Sequence, residues 1–240
     1  MKHAAASFLC ALSLLVLASC SSVQHVVLKP DGSGTASIHV SLDPLVVRYL
    51  SDLLAATGGQ VSAQQPLFDL GRIKSDFTQL PGVTLVAASS PTPSTLDLDV
   101  AFTQVGQIVP ASPVSPIVFS TDGILRTVSV HLSAQTIPSL LAIAPLADDP
   151  VLSSLGPRPD HPYTKAQYLD LLDYAFSDYA SAADIKRVAE SAVLTIRVDV
   201  EGTLVSQSGG SREGNTAVFT IPLLSLITLE KPIDLAVTYQ

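Results

Sequence analysis

Few residues in this chain could do covalent or proton chemistry. Its cysteines are Cys10 and Cys20, and beyond His3 its histidines are His25, His39, His131 and His161. A thiolate can act as a nucleophile, a metal ligand or an acyl acceptor, and an imidazole as a general base or a ligand. Each role needs partners at a suitable spacing. The chain has no His-Glu-x-x-His motif, no Gly-x-Ser-x-Gly elbow and no phosphate loop of the Gly-x4-Gly-Lys-Ser/Thr kind. His39 and His131 fall on the polar faces of predicted strands, where they could neighbour each other, or Asp97 and Asp99, across a sheet. Solvated strand positions account for them as well, and no ligand spacing favours a metal. Asp148-Asp149 and Asp160-His161 sit in the proline-rich stretch DDPVLSSLGPRPDHP. Their types allow a general acid-base pair, and turn formation or capping accounts for the same residues.

Cys20 differs because of what precedes it. Lys2 and His3 give a short basic start, and Ala4 to Ala18 (AAASFLCALSLLVLA) is apolar apart from Ser7 and Ser13. This is the length of a signal-peptide core and falls short of the ~20 apolar residues of a spanning helix. Leu17-Ala18-Ser19-Cys20 then resembles the lipobox of bacterial lipoprotein precursors. The resemblance implies that residues 1–19 are a cleaved signal peptide. It also implies a diacylglyceryl group on the Cys20 thiol and a fatty acyl group, such as palmitate, on the new amino terminus. An ordinary signal peptide with an incidental cysteine, or an uncleaved anchor, are the alternatives. Cys10 leaves with the signal segment, so the mature chain holds one cysteine and has no internal disulfide. With that thiol consumed by lipid, no cysteine nucleophile remains.

Stability must then come from a packed core, for which residues 20–240 are long enough as a single domain. Apolar residues make up 47% of the chain and charged ones 14%, a composition that favours folding over disorder. The formal charge is −8, and loss of Lys2 makes the mature chain one unit more acidic. An acidic chain without a Lys/Arg cluster is a poor partner for nucleic acid or for anionic headgroups. Membrane attachment would rest on acyl chains, and two of them suffice. The richest later apolar run, Ile221 to Leu229, is short and is followed by Glu230, Lys231 and Pro232, so it belongs to a core.

Elements follow from periodicity. Residues 35–42 (TASIHVSL) alternate strictly, and with Val23 to Leu28 and the turn Pro30-Asp31-Gly32-Ser33-Gly34 they predict a hairpin. Asp43-Pro44 caps a helix running to Gly58-Gly59, with Leu45, Val46, Tyr49, Leu50 and Leu53 on one side. After a linker at 60–66, residues 68–80 suggest a shorter helix, 83–88 and 96–103 strands, and 117–132 a hairpin turning at Thr121-Asp122-Gly123. Residues 135–147 predict a helix entered through Pro138, 148–162 a loop, and 164–179 and 181–189 two more helices. Strands return at 194–201, 216–221 and 233–239, with a loop at 206–215 and a turn of helix at 222–229. The expected fold is α+β: an antiparallel, curved β-sheet with helices packed on one face, and a helical insertion at about 135–190.

Tryptophan is absent and aromatic residues amount to 5%, which disfavours sugar and base stacking. Tyrosines do gather at 163–179. Their spacing fits an amphipathic helix facing the core, and equally a rim formed by Tyr168, Leu172 and Phe176 around an apolar cavity between sheet and helices.

The run VVLKPDGSGTASIHVSL soon after the lipobox, together with NTAVFTIPLLSLITLEKPIDLAVTY near the C terminus, resembles the LppM-like lipoprotein family of bacteria. The resemblance implies an α+β envelope domain for which lipid or glycolipid binding has been suggested, and no catalytic residues. The chain departs from it by the 135–190 helical insert and by having no spanning segment near its C terminus. The expectation is a non-enzymatic, lipid-anchored envelope protein on the periplasmic or surface side, with no cofactor and no metal. It would bind an amphiphile between sheet and helices, or act as a structural or interaction lipoprotein touching another envelope protein. Ser21 and Ser22 in place of aspartate allow an outer-membrane location.

Overall fold

The computed structural model describes residues 19–56, 67–78, 80, 82–108, 115–137, 156–158 and 161–240. Residues 1–18, expected as part of a signal peptide, the expected linker at 60–66, residues 138–147 of the helix expected over 135–147, and Asp148, Asp149 and Asp160 lie outside the described residues.

The chain opens with β1 (Ser19–Leu28) and β2 (Gly34–Leu42), the expected hairpin. Its turn closes through Lys29 N–H to Ser33 O at 2.8 Å, and Asp31 accepts from both the Ser33 amide and hydroxyl. Gly34 is required where β2 begins, since a Cβ there would sit 2.0 Å from Val27 O. Helix α1 (Pro44–Ala56) follows, with Asp43 Oδ1 accepting the Leu45 amide at 2.7 Å. Next come α2 (Leu70–Phe77), capped by Asp69, then β3 (Val83–Ser89), β4 (Thr95–Phe102) and the single turn α3 (Val105–Ile108). Strands β5 (Ile117–Asp122) and β6 (Leu125–Leu132) form the second hairpin, turning at Gly123-Ile124.

Helix α4 (Lys165–Phe176) starts with a reciprocal capping box between Thr164 and Gln167, and Ser181 caps α5 (Ala182–Ser191). The chain then runs through β7 (Val193–Val200), β8 (Leu204–Ser208), β9 (Ser211–Glu213), β10 (Thr216–Pro222), α6 (Leu223–Thr228) and β11 (Ile233–Tyr239). The segment expected as a loop over 206–215 contains strand at both ends. Both β8 and β9 are sheet edges, where side chains stay wet and the apolar alternation that marks a strand is lost.

The α+β class holds, and the sheets are mostly antiparallel. The strands divide into two sheets: a seven-stranded one in the order β3-β4-β2-β1-β7-β10-β9 and a four-stranded one in the order β5-β6-β11-β8. The parallel pairing of β1 with β7 is the exception to antiparallel order. The chain crosses between sheets at Gly202 (φ +133°), where a Cβ would meet Gln240 O at 2.1 Å and strand β8 is tied to the C terminus by Thr203–Gln240 backbone bonds.

The inner face of the large sheet is apolar along most of its rows, with Leu96, Leu98, Val40, Ile38 and Val100 fully buried. Near β3 and β4 this face shares its core with Phe68, Phe77 and Leu80, around α2. Over β1, β7 and β10 the same core continues into the inner face of the small sheet through Leu132, Leu235 and Val237. Helices α4, α5 and α6 pack on one another, and α1 joins them through Leu45, Val46, Phe176 and Ile185. No helix among the described residues is long and apolar enough to cross a membrane.

Candidate functional site

Two features can hold chemistry: an apolar space between the sheets and a set of ionisable pairs on the strands' wet faces. The apolar space follows from the alternation of β1, β7 and β10, which turns Val26, Leu28, Leu194, Val198, Phe219 and Ile221 toward the small sheet. Val128, Val130 and Leu132 of β6, with Leu235 and Val237 of β11, close it from the other side, and Ile117 and Ile137 sit at its margin. The cavity is partly open and measures about 120 Å³. Among the described residues its lining includes one polar side chain, Gln24, and no charged residue.

Tyr168, Leu172 and Phe176 do share a face of α4, and that face packs on other helices. Tyr168 is buried against Leu224 and Ile227 of α6, its ring 5.9 Å from that of Tyr163, and burial pushes its phenol pKa upward. Phe176 packs 4.7 Å from the Tyr49 ring, between α1 and Ile185 of α5. Leu172 is half-buried between these two groups. None of the three lines the cavity between the sheets. Beside a helix, the structure has an open groove of about 630 Å³ between α2 and edge strand β3, where Lys74, Thr78 and Thr84 mix with Leu85 and Val86.

Three histidines sit on strands and each faces a carboxylate. His39 Nδ1 lies 2.6 Å from Asp97, its direct cross-strand partner, and His131 Nδ1 lies 2.6 Å from Asp234 in the same relation on the small sheet. His25 Nε2 lies 2.6 Å from Asp199, two positions along the parallel β1–β7 ladder. Asp199 also accepts from the Thr216 hydroxyl. That bond and then His25 hold its carboxyl below the usual range, against the opposing effect of partial burial. His39 and His131 are on different sheets, so they do not meet. His39 was expected to find Asp97 or Asp99, and it finds Asp97, while Asp99 accepts instead from Ser37 at 2.7 Å.

All three imidazoles are about half exposed. Among the described residues, none has its second ring nitrogen hydrogen-bonded to a hydroxyl, as a nucleophile-base pair would require, and no three potential ligands converge as a metal site would. His161 is exposed beside Tyr163 and Gln167. Cys20 lies within β1, at the irregular pairing between Ser19 and Ser21.

No model of a known family matches the chain, and no curated protein matches it in sequence. Among solved structures, the chain is similar to the folded domain of LppM from Mycobacterium tuberculosis, determined by NMR. The TM-score is 0.42 at 7% identity, over 92% of this chain and 88% of that one. It is also similar to an M1 zinc metallopeptidase from Deinococcus radiodurans, with a TM-score of 0.31 at 11% identity. That match covers 92% of this chain and 42% of the metallopeptidase. Both likenesses are remote.

Proposed function

We propose that this protein is a non-enzymatic, lipid-anchored component of a bacterial cell envelope that takes up an amphiphile between its two sheets. The observation that carries the reading is the apolar cavity, bordered by the inner faces of β1, β7 and β10 on one side and β6 and β11 on the other. The lipobox-like Leu17-Ala18-Ser19-Cys20 supports the anchor, and Cys20 lies within β1, so the sheet bordering the cavity would stand close to the membrane. At about 120 Å³ the space is smaller than the ~300 Å³ where drug-sized pockets begin, so uptake of a whole acyl chain requires the sheets to part.

The anchor is checked by mass spectrometry of the mature N terminus, which should carry diacylglycerol on Cys20; Cys20→Ala should abolish the modification. Ligand uptake is checked with a fluorescent fatty acyl ester. Val198→Phe, which fills the cavity, should remove its binding while leaving the circular dichroism unchanged. Absence of both co-purifying lipid and probe binding in the unmodified protein defeats the ligand reading.

A second reading has its own observation. The outer face of the large sheet around β1 and β2 is solvent-exposed, and it presents the exposed Val23 beside His25, Ser37 and His39. A structural or interaction lipoprotein would meet another envelope protein there. Cross-linking in cells through a photoreactive residue at position 23 should then recover one recurring neighbour, and a featureless result would remove this reading.

A further inference from the structure

Two polar side chains interrupt the apolar inner face of β1. Ser22 and Gln24, 1% and 3% exposed, occupy successive inward positions. Their register partners are Val40 and Leu194 for Ser22, and Ile38 and Ile196 for Gln24. Gln24 lines the cavity, and its Nε2 has no hydrogen-bond partner; Ser22 Oγ is likewise unpartnered. Leaving such a buried group unmatched costs stability, whereas an apolar side chain of the same shape would cost nothing of the kind.

We propose that Gln24, with Ser22 next to it, is the polar end of the cavity and selects an amphiphile presenting a neutral carbonyl, that of an acyl ester, to the Nε2 donor. This rests on the cavity being a ligand site, as argued above. The unmatched amide nitrogen is a donor, so it calls for an acceptor. An alkane leaves it unmatched. A carboxylate supplies an acceptor but enters as an unpaired charge, because among the described residues no Lys, Arg or His lines the space. An engineered apolar cavity of about 150 Å³ is known to hold benzene. The present space of about 120 Å³ therefore suits the ester and the first methylenes of a chain.

Such an ester has two sources: a membrane glycerolipid, or the diacylglyceryl group on Cys20 of the same chain. Four residue steps along the strand separate Cys20 from Gln24, roughly 13 Å at about 3.3 Å per residue. A lipid tethered at that distance meets the site at high effective concentration.

The test uses the full chain purified from membranes into bicelles of ether lipids, which carry no ester. The Gln24 side-chain amide resonance, assigned by its loss in Gln24→Leu, is followed while methyl octanoate, nonane or octanoate is added. Methyl octanoate should shift that resonance and bind about tenfold more tightly than the other two, and Gln24→Leu should erase the preference over nonane. Ser22→Ala, a smaller change, should weaken the same preference. If ester and alkane bind alike to both the native chain and Gln24→Leu, the polar end selects nothing and this inference falls, while the cavity remains a ligand site. If no probe binds even to the Cys20→Ser chain, which carries no tethered lipid, the cavity reading itself falls. A native chain already shifted before any addition, and a Cys20→Ser chain that is not, identifies the tethered lipid as occupant. A shift that appears in both chains only when ester phospholipid is supplied identifies the membrane as its source.

Discussion

The two faces of the seven-stranded sheet treat polar side chains in opposite ways. On the outer face, where water would satisfy them anyway, they are matched: Ser37 with Asp99, His39 with Asp97, His25 and Thr216 with Asp199, Arg197 with Glu213. On the inner face, where a partner is needed most, Ser22 Oγ and Gln24 Nε2 have none. Exposed pairs contribute little to stability, a median of about 0–1 kcal/mol, whereas an unmatched buried group subtracts more than that. The outer polarity is thus the ordinary dress of a wet sheet. The inner polarity is an anomaly that stability cannot explain.

Substitutions can break or sharpen this contrast. The largest effect belongs to the apolar rows of the inner face: Leu96→Ala, at a fully buried site on β4, should lower the unfolding free energy by about 2–5 kcal/mol in urea titrations. Gln24→Leu should act the other way and raise stability by about 1–3 kcal/mol in the ligand-free chain, with Ser22→Ala raising it less. A loss of stability in both variants would mean that these groups are satisfied after all. On the outer face, His39→Ala should change stability by less than about 1 kcal/mol, and the change should shrink further in added salt.

The smallest effect concerns acid. Asp199 has a folded-state pKa lowered first by Thr216 and then by His25, so its contribution is present above the unfolded value near 3.9 and is lost as pH falls through the lower folded one. Because the group is partly exposed, Asp199→Asn should flatten the acid limb of the stability curve only slightly. Paired acid-unfolding curves below about pH 4 check this, and superimposable slopes would contradict it.

Much of the frame was legible in the sequence because local signals agree. Strict alternation marked β2 and β4, a cap followed by proline marked α1, and the Tyr168, Leu172 and Phe176 stripe marked the packed face of α4. What that stripe packs against was not legible, since α1 and α6 are distant in the chain and periodicity gives a face without its partner. The division into two sheets was hidden for the same reason. His39 and Asp97 could be paired from their shared polar faces, but His25 and Asp199 meet only through a parallel ladder joining residues 174 positions apart. Gln24 escaped notice because β1 does not alternate cleanly: Val23 and Val27 face outward, so the strand's inward side could not be assigned from composition. The signal that could have found it is the neighbouring strand, where β2 alternates cleanly and fixes the register of its partner.

The placement of β1 between β2 and β7 also orders events in time. A two-stranded hairpin is marginal by itself in water, so β1 gains its second neighbour only after the chain through Val200 is available. A polypeptide secreted from its N terminus would therefore deliver its first strand early and lock it late. In that interval the segment around Cys20 has not yet gained its β7 neighbour, so the modification proposed for Cys20 would precede closure of the sheet.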